Sequence, residues 1–355
     1  MTLASVEGVK LSCQTKESVV KKSVCSVLAF LILVSVVGFT GCGSTTWVKT
    51  GGSIRNPRVS SLAYDSQHGV LFAGVSKPKS STNQAPGSFG VWKYHGGAWT
   101  STGGAISSLG MSSLAYDPTH NLLYSGCVDY KIGNQGVWKY DGANWINTAG
   151  MALYGQPSCL LYDSVHDVLY SGSTDGGVLM YTDGPGWAGV GDWRYRTLSL
   201  AYDSKHNTLW AGTTARGVWK CDGAAWTNTN RMLSPYRNEV LAKYRIESLA
   251  YDPTHNSLYA GTNGGGVWKY NGKKWTNTNG ALSHDSVVSL TYDSKHSLLY
   301  AGTTGDGVWV YNGMSWTNTG GGLPSSTTLS LAYDSVHNVL YAGTDYGVWS
   351  HLRRP

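Results

Sequence analysis

The sequence predicts an all-β fold: a closed ring of seven four-stranded blades, a β-propeller. Three observations carry that expectation. Glycine, tyrosine and tryptophan are abundant (46, 23 and 15 residues) and phenylalanine scarce (4). With no Leu-rich helical stretch, this is the composition of short strands and tight turns. A Tyr-Asp-x-x-His core recurs seven times, with Asp at 65, 117, 163, 203, 252, 293 and 334 and His at 68, 120, 166, 206, 255, 296 and 337. Copies lie 40 or more residues apart, the period of a four-stranded blade. Finally, the seventh copy lacks its last strand, and a spare one stands ahead of the first copy.

The elements follow in chain order. Lys21 and Lys22 precede an uncharged run from Ser23 to Phe39. Seventeen residues suit the apolar region of a signal peptide and fall short of the roughly 20 of a spanning helix. The run ends in Phe39-Thr-Gly-Cys42-Gly-Ser44, which resembles a bacterial lipobox. That resemblance implies a lipid on Cys42, which becomes the mature N-terminus; an uncleaved anchor, or a plain signal peptide with an incidental Cys, is the alternative. Gly43, rather than Asp, implies the outer membrane where the cell has one. The expected organisation is a lipoprotein signal peptide over 1–41, a short tether over 42–46 and the propeller over 47–355.

Each repeat divides into four strands, read as Ser-Leu-Ala-Tyr, Leu-Tyr-Ala-Gly, Gly-Val-Trp-Lys-Tyr and Trp-Thr-Asn-Thr. Blades pack on both faces, so near-continuous apolar strands are expected. The chain stops after Gly347-Val-Trp-Ser-His without a Trp-Thr-Asn-Thr strand, and Thr46-Trp47-Val-Lys-Thr-Gly-Gly52 matches the missing one. The N-terminal strand is therefore expected to complete the last blade and leave no open edge.

Gly322-Leu-Pro-Ser-Ser, Ser330-Leu-Ala-Tyr-Asp, Leu340-Tyr-Ala-Gly-Thr and Gly347-Val-Trp resemble the two-component-regulator propeller repeat, found in extracellular sensor domains. Tyr140-Asp-Gly-Ala-Asn-Trp145 is similar to the Asp-box turn of sialidase-type repeats, one residue shorter between Asp and Trp. The resemblance implies a fold that hosts sensors, lectins, hydrolases and assembly factors alike.

Several motifs have structural explanations. Asp203-Ser204-Lys205-His206 holds the residue types of a hydrolase triad, but neighbours in one turn cannot aim one another's side chains as a triad requires. Pro118 and Pro253 also replace the Ser in two copies. Asp instead closes an Asx turn, and Asn at 121, 207, 256 and 338 suits a left-handed position. Seven His, one per blade, cannot converge on one ion, so no metal and no cofactor is expected. Gly261 to Gly266 lies between two strands with no helix after it, which excludes a phosphate loop. The Trp at 99, 145, 187, 226, 275 and 316 recurs once per blade and reads as core. Cys127, Cys159 and Cys221 are odd in number, without paired spacing, and imply no disulfide framework.

What varies carries the functional signal. Connections between blades, and between second and third strands, differ in length, notably 75–89, 127–135, 189–197 and 230–247. Ser234 caps an expected short helix from Pro235 in the last of these. All these connections share one face, the expected binding face. Of the ten Arg after Cys42, eight fall there, at 55, 58, 194, 196, 216, 231, 237 and 245. Arginine offers planar, bidentate recognition of carboxylates, phosphates or sulfates. The candidate ligand-binding residues are Trp193, Arg194, Tyr195, Arg196, Arg216, Tyr236, Arg237 and Arg245, with Asp192, Glu239, Glu247 and Asp285 as local acids.

The net charge of +6 falls to +4 without residues 1–41, whose loss leaves 23 basic and 19 acidic residues. That mild balance, in an exported chain, does not imply nucleic acid. The expectation is a monomeric, non-enzymatic binding or scaffolding propeller in the bacterial cell envelope, on its periplasmic or extracellular face. Its partners would be the membrane, through Cys42, and an envelope protein, anionic glycan or small molecule. The alternatives are a sialidase-like glycoside hydrolase, with Tyr195, Glu239 and Glu247 beside the arginines, and a lectin with one site per blade.

Overall fold

Local chemistry builds one hairpin seven times. In the computed structural model, which describes residues 46–52, 54, 58–76, 89–128, 136–149, 155–175, 177–184, 186–191, 195–223, 225–229, 241, 243–278, 280–324 and 327–352, each repeat core forms the turn between two strands. In the first blade Asp65 Oδ1 accepts the amides of Gln67 and His68 at 2.9 and 3.1 Å, and Oδ2 pairs with His68 Nδ1 at 2.7 Å. The Asx turn satisfies amides that a tight reversal would otherwise leave bare. Asn121, Asn207, Asn256 and Asn338 take φ between 48° and 60°, as expected of a residue that tolerates the left-handed region. Gly69, Asp167 and Ser297 fill the same position elsewhere.

The described strands form seven four-stranded antiparallel sheets. Blade four is representative, with Thr197–Asp203, Thr208–Thr213, Val218–Cys221 and Trp226–Asn228 in spatial order. The last sheet combines Thr328–Asp334, Val339–Thr344 and Gly347–Leu352 with Val48–Lys49, paired as Val48 with Ser350 and Lys49 with Trp349. The N-terminal strand completes the last blade. Among the described residues the single helical turn is 3-10, Gly280–Leu282, and no helix is long and apolar enough to cross a membrane. Cys42 and the run 23–39 lie outside the described residues, as does the segment beginning at Ser234.

Seven apolar clusters form, one at each junction of neighbouring blades. Outside them runs a ring of indole hydrogen bonds. Trp99, Trp145, Trp187, Trp275, Trp316 and Trp47 each donate Nε1–H to a Thr hydroxyl of the preceding blade, at 2.9–3.1 Å. Trp226 uses the Val190 carbonyl at 2.7 Å, because blade three has Val where the others have Thr. Each acceptor Thr in turn donates to its own blade, as Thr319 does to the Val308 carbonyl at 2.9 Å. Each such bond contributes about 1 kcal/mol net. The last bond, Trp47 to Thr319, joins residues 272 apart and closes the ring.

A second ring lies inside. Tyr64 donates to Asp334 of the preceding blade at 2.6 Å. Tyr116, Tyr202 and Tyr251 donate to the Asn of their own turn at 2.8, 2.6 and 2.8 Å and lie beside the preceding blade's aspartate. Burial, then these carboxylates, push all four phenols well above the tyrosine range. Burial alone would raise Asp203 and Asp334 too, but the Tyr251 phenol beside Asp203, the hydrogen bond from Tyr64 to Asp334, and the turn histidines and amides hold both below the usual carboxylate range.

Two predictions follow from these rings. Trp47 is 3% exposed, so Trp47→Ala removes both an inter-blade bond and a large buried side chain, with an expected cost of about 3–5 kcal/mol. Thermal unfolding monitored by near-ultraviolet circular dichroism checks it; an unchanged midpoint would show that the ring does not depend on this strand. Because the folded-state pKa values of Asp203 and Asp334 lie below the unfolded value near 3.9, their stabilisation is present above that value and drains away as pH falls through the folded ones. The thermal midpoint of the wild-type chain should therefore drop on acidification below about pH 4. In Asp203→Asn plus Asp334→Asn, the midpoint should be lower at neutral pH and vary less with acid.

Candidate functional site

The innermost strand of each blade runs from the variable-connection face to the Asp-turn face, and these seven strands pack side by side around the axis. Each carries a β-bulge at the same place. In the first blade Val59 opposes Val75 and Ser61 opposes Gly74, leaving Ser60 without a partner across the ladder. The same skip leaves Ser112, Ser158, Leu198, Glu247, Val288 and Leu329 unpaired. A bulge releases one residue from the ladder and re-aims it. These seven residues line an axial cup of about 260 Å³ on the variable face. One deeper residue per blade, Leu62, Leu114, Leu160, Leu200, Leu249, Leu290 or Leu331, closes its floor.

The cup is two-sided. Blades one to three contribute the hydroxyls of Ser60, Ser112 and Ser158, which donate to backbone carbonyls of Met111, Gly126 and Thr197 respectively. At the bulge position blades four, six and seven carry hydrocarbon, while their Ser199, Ser289 and Ser330 also line the cup. The single carboxylate lining the cup, among the described residues, is Glu247. Its Oε1 lies 2.8 Å from Arg245 Nε, so this predicted arginine is engaged by the predicted acid.

Of the other predicted residues, Tyr195, Arg196 and Arg216 come together on blade four. Arg196 ends the connection into the innermost strand, and its carbonyl accepts the Thr214 amide. Arg216 occupies the turn between the second and third strands, held by its amide on Thr213 Oγ1 at 3.0 Å. Its guanidinium lies over the Tyr195 ring, 5.6 Å from the centroid, and that ring packs 5.5 Å from Trp219. Trp219 is fixed from below by its indole N–H on the Arg216 carbonyl. Arg196 and Arg216 are both exposed, and among the described residues neither guanidinium has an acidic partner. Arg58, by contrast, is the first residue of an innermost strand and pairs with Asp345 at 3.4 Å. Trp193, Arg194, Tyr236 and Arg237 lie outside the described residues, as do Asp192 and Glu239.

The opposite face holds the histidine turns. Asp117, His120 and Asp167 bring ligand atoms within 4.8 Å of one another, where blade three has Asp167 in the position taken by Asn in four other blades. The site repeats the ordinary Asp–His turn with one added carboxylate, which accepts the Tyr162 hydroxyl at 2.6 Å. Hydrogen bonding and charge from Asp117, with Asp167 adding to them, raise the His120 pKa. Cys127, Cys159 and Cys221 are free, and burial pushes the Cys127 and Cys159 thiols up to about 12, so neither is a thiolate at neutral pH.

No family model and no curated protein matches this chain. Solved structures do. The chain is a seven-bladed β-propeller. It is similar to the extracellular domain of a putative hybrid two-component system from B. thetaiotaomicron, with a TM-score of 0.66 and 17% identity over 88% of this chain and 40% of that one. It is also similar to a GH74 xyloglucanase from Xanthomonas campestris, with a TM-score of 0.62 and 17% identity over 87% of this chain and 54% of that one. The propeller thus spans about half or less of the length of these two proteins. At such identity the likeness is one of fold.

Of the seven bulge residues, Glu247 alone is singled out by reading the sequence. Their signal was present: the position before the repeated Ser-Leu is Ser in three copies and Leu, Glu or Val in the others.

Proposed function

We propose that this chain is a non-enzymatic, extracytoplasmic binding module, tethered to an envelope membrane by lipid on Cys42, which takes an anionic ligand or acidic partner surface on its variable face. One observation carries the reading: Arg196 and Arg216 are exposed and free of acidic partners among the described residues, and Arg216 lies over the Tyr195–Trp219 shelf. A planar guanidinium over an aromatic ring keeps its outward donors for a carboxylate, sulfate or phosphate. The lipobox-like segment and the likeness to an extracellular sensor domain support the location.

The likeness to a GH74 enzyme makes glycoside hydrolysis the second reading. That chemistry needs two carboxyl groups about 5–9.5 Å apart. Glu247 alone lines the cup among the described residues, and Arg245 already neutralises it, which favours binding over catalysis.

Screening the chain against sialylated, sulfated and uronic-acid glycans, with envelope pull-down in parallel, is expected to yield an acidic ligand. Arg196→Ala plus Arg216→Ala should weaken its binding about tenfold or more while leaving the thermal midpoint unchanged, because charge-assisted bonds are lost from exposed positions. Undiminished binding would rule out this site. Hydrolysis of xyloglucan or sialyl glycans that Glu247→Gln abolishes would replace the binding reading with the enzymatic one. Separately, Cys42→Ser should move the chain from the membrane to the soluble fraction of cells, and retention in the membrane would refute the lipid tether.

A further inference from the structure

The far end of the axis holds a second hollow, distinct from the proposed anion site. A cavity of about 380 Å³ opens among the Asp turns of blades four to six, within the about 300–1,000 Å³ range of small-molecule sites. Leu200, Leu249 and Leu290 line both this cavity and the variable-face cup, so the leucine ring is their common wall.

The lining of the hollow differs between blades at one position. The residue after the ring leucine is Ala63, Ala115, Ala201, Ala250 and Ala332 in five blades, but Leu161 in blade three and Thr291 in blade six. Leu161 lines the cavity at its blade-three edge, and the small Ala201, Ala250 and Thr291 line it in blades four to six.

Its chemistry is lopsided. The floor is hydrocarbon, and Tyr202 and Tyr251 wall it with rings whose hydroxyls already donate to Asn207 and Asn256. Asp203 is likewise spent, accepting the Lys205 amide at 3.0 Å and pairing with His206. What is left uncommitted is the buried Tyr292 hydroxyl inside and, at the rim, the Lys205 ammonium, exposed and without an acidic partner among the described residues. From this juxtaposition we infer that the Asp-turn mouth is a second binding site, for a small amphipathic carboxylate whose apolar tail rests on Leu200, Leu249 and Leu290 and whose head meets Lys205. The leucine partition makes it independent of the variable face.

Isothermal titration of the full chain with octanoate, hexanoate, octanol and octylammonium tests this. Octanoate is expected to bind at one site per chain, and hexanoate more weakly by about fourfold per methylene removed. Octanol should bind less tightly than octanoate, and octylammonium least. Lys205→Gln should weaken octanoate about fivefold without changing octanol, as for a solvent-exposed ion pair. Thr291→Leu, which copies into blade six the residue blade three already carries, should block all the probes and leave the thermal midpoint in place. Arg196→Ala plus Arg216→Ala should not alter octanoate binding. The inference is overturned if octanoate does not bind, if octylammonium binds as tightly, if Thr291→Leu still binds, or if the arginine variant loses octanoate.

Discussion

No blade of this molecule buries its own faces. Each four-stranded sheet covers one flank of its neighbour and needs a second neighbour for the other, so six finished junctions would leave two raw apolar surfaces. Closure is therefore the condition on which every other contact rests. It depends on the two-residue strand Val48–Lys49 and on Trp47, whose side chain enters the cluster between the sixth and seventh blades. The indole bonds then fasten each junction at its outer margin, and phenols beside aspartates hold the four described above at their inner margin. Between those fastenings sit the apolar clusters, which supply most of the driving force.

The two margins meet different chemistry. Outside, a neutral indole donor and a hydroxyl form a bond indifferent to pH. Inside, the same task falls to carboxylates, so the inner fastening carries the acid sensitivity of the whole ring.

Repetition made most of this architecture legible from the residues. An Asp followed three positions later by His, seven times over, specifies a turn whatever the tertiary context, and the spare Trp-Thr-Asn-Thr-like strand ahead of the first blade matched a vacancy in the last. Trp99 and its equivalents read correctly as core, but which Thr each indole meets depends on how blades lean on one another. Arg58 and Asp345 show the same limit, since an ion pair across 287 positions has no local signature. Arg245 and Glu247, two positions apart, were recognisable as partners only in kind. The axial cup escaped because a bulge is a property of two strands in register, and one strand's sequence does not announce it. The Asp-turn hollow escaped for a different reason: it lies among strands of nearly constant sequence, where no loop of varying length marks it.

The seven bulge residues have a further meaning. Every other axial side chain is constrained by the partner opposite it or by the wall it shares with the next blade. The bulge residue has no partner across the ladder, and Ser60, Leu198 and Glu247 occupy equivalent places on identical backbones. The cup is thus assembled like a combination lock, with seven dials that turn separately on a mechanism that stays still. Its present setting is three hydroxyls, three hydrocarbons and one acid. A different setting would define a different receptor without asking the ring to fold again.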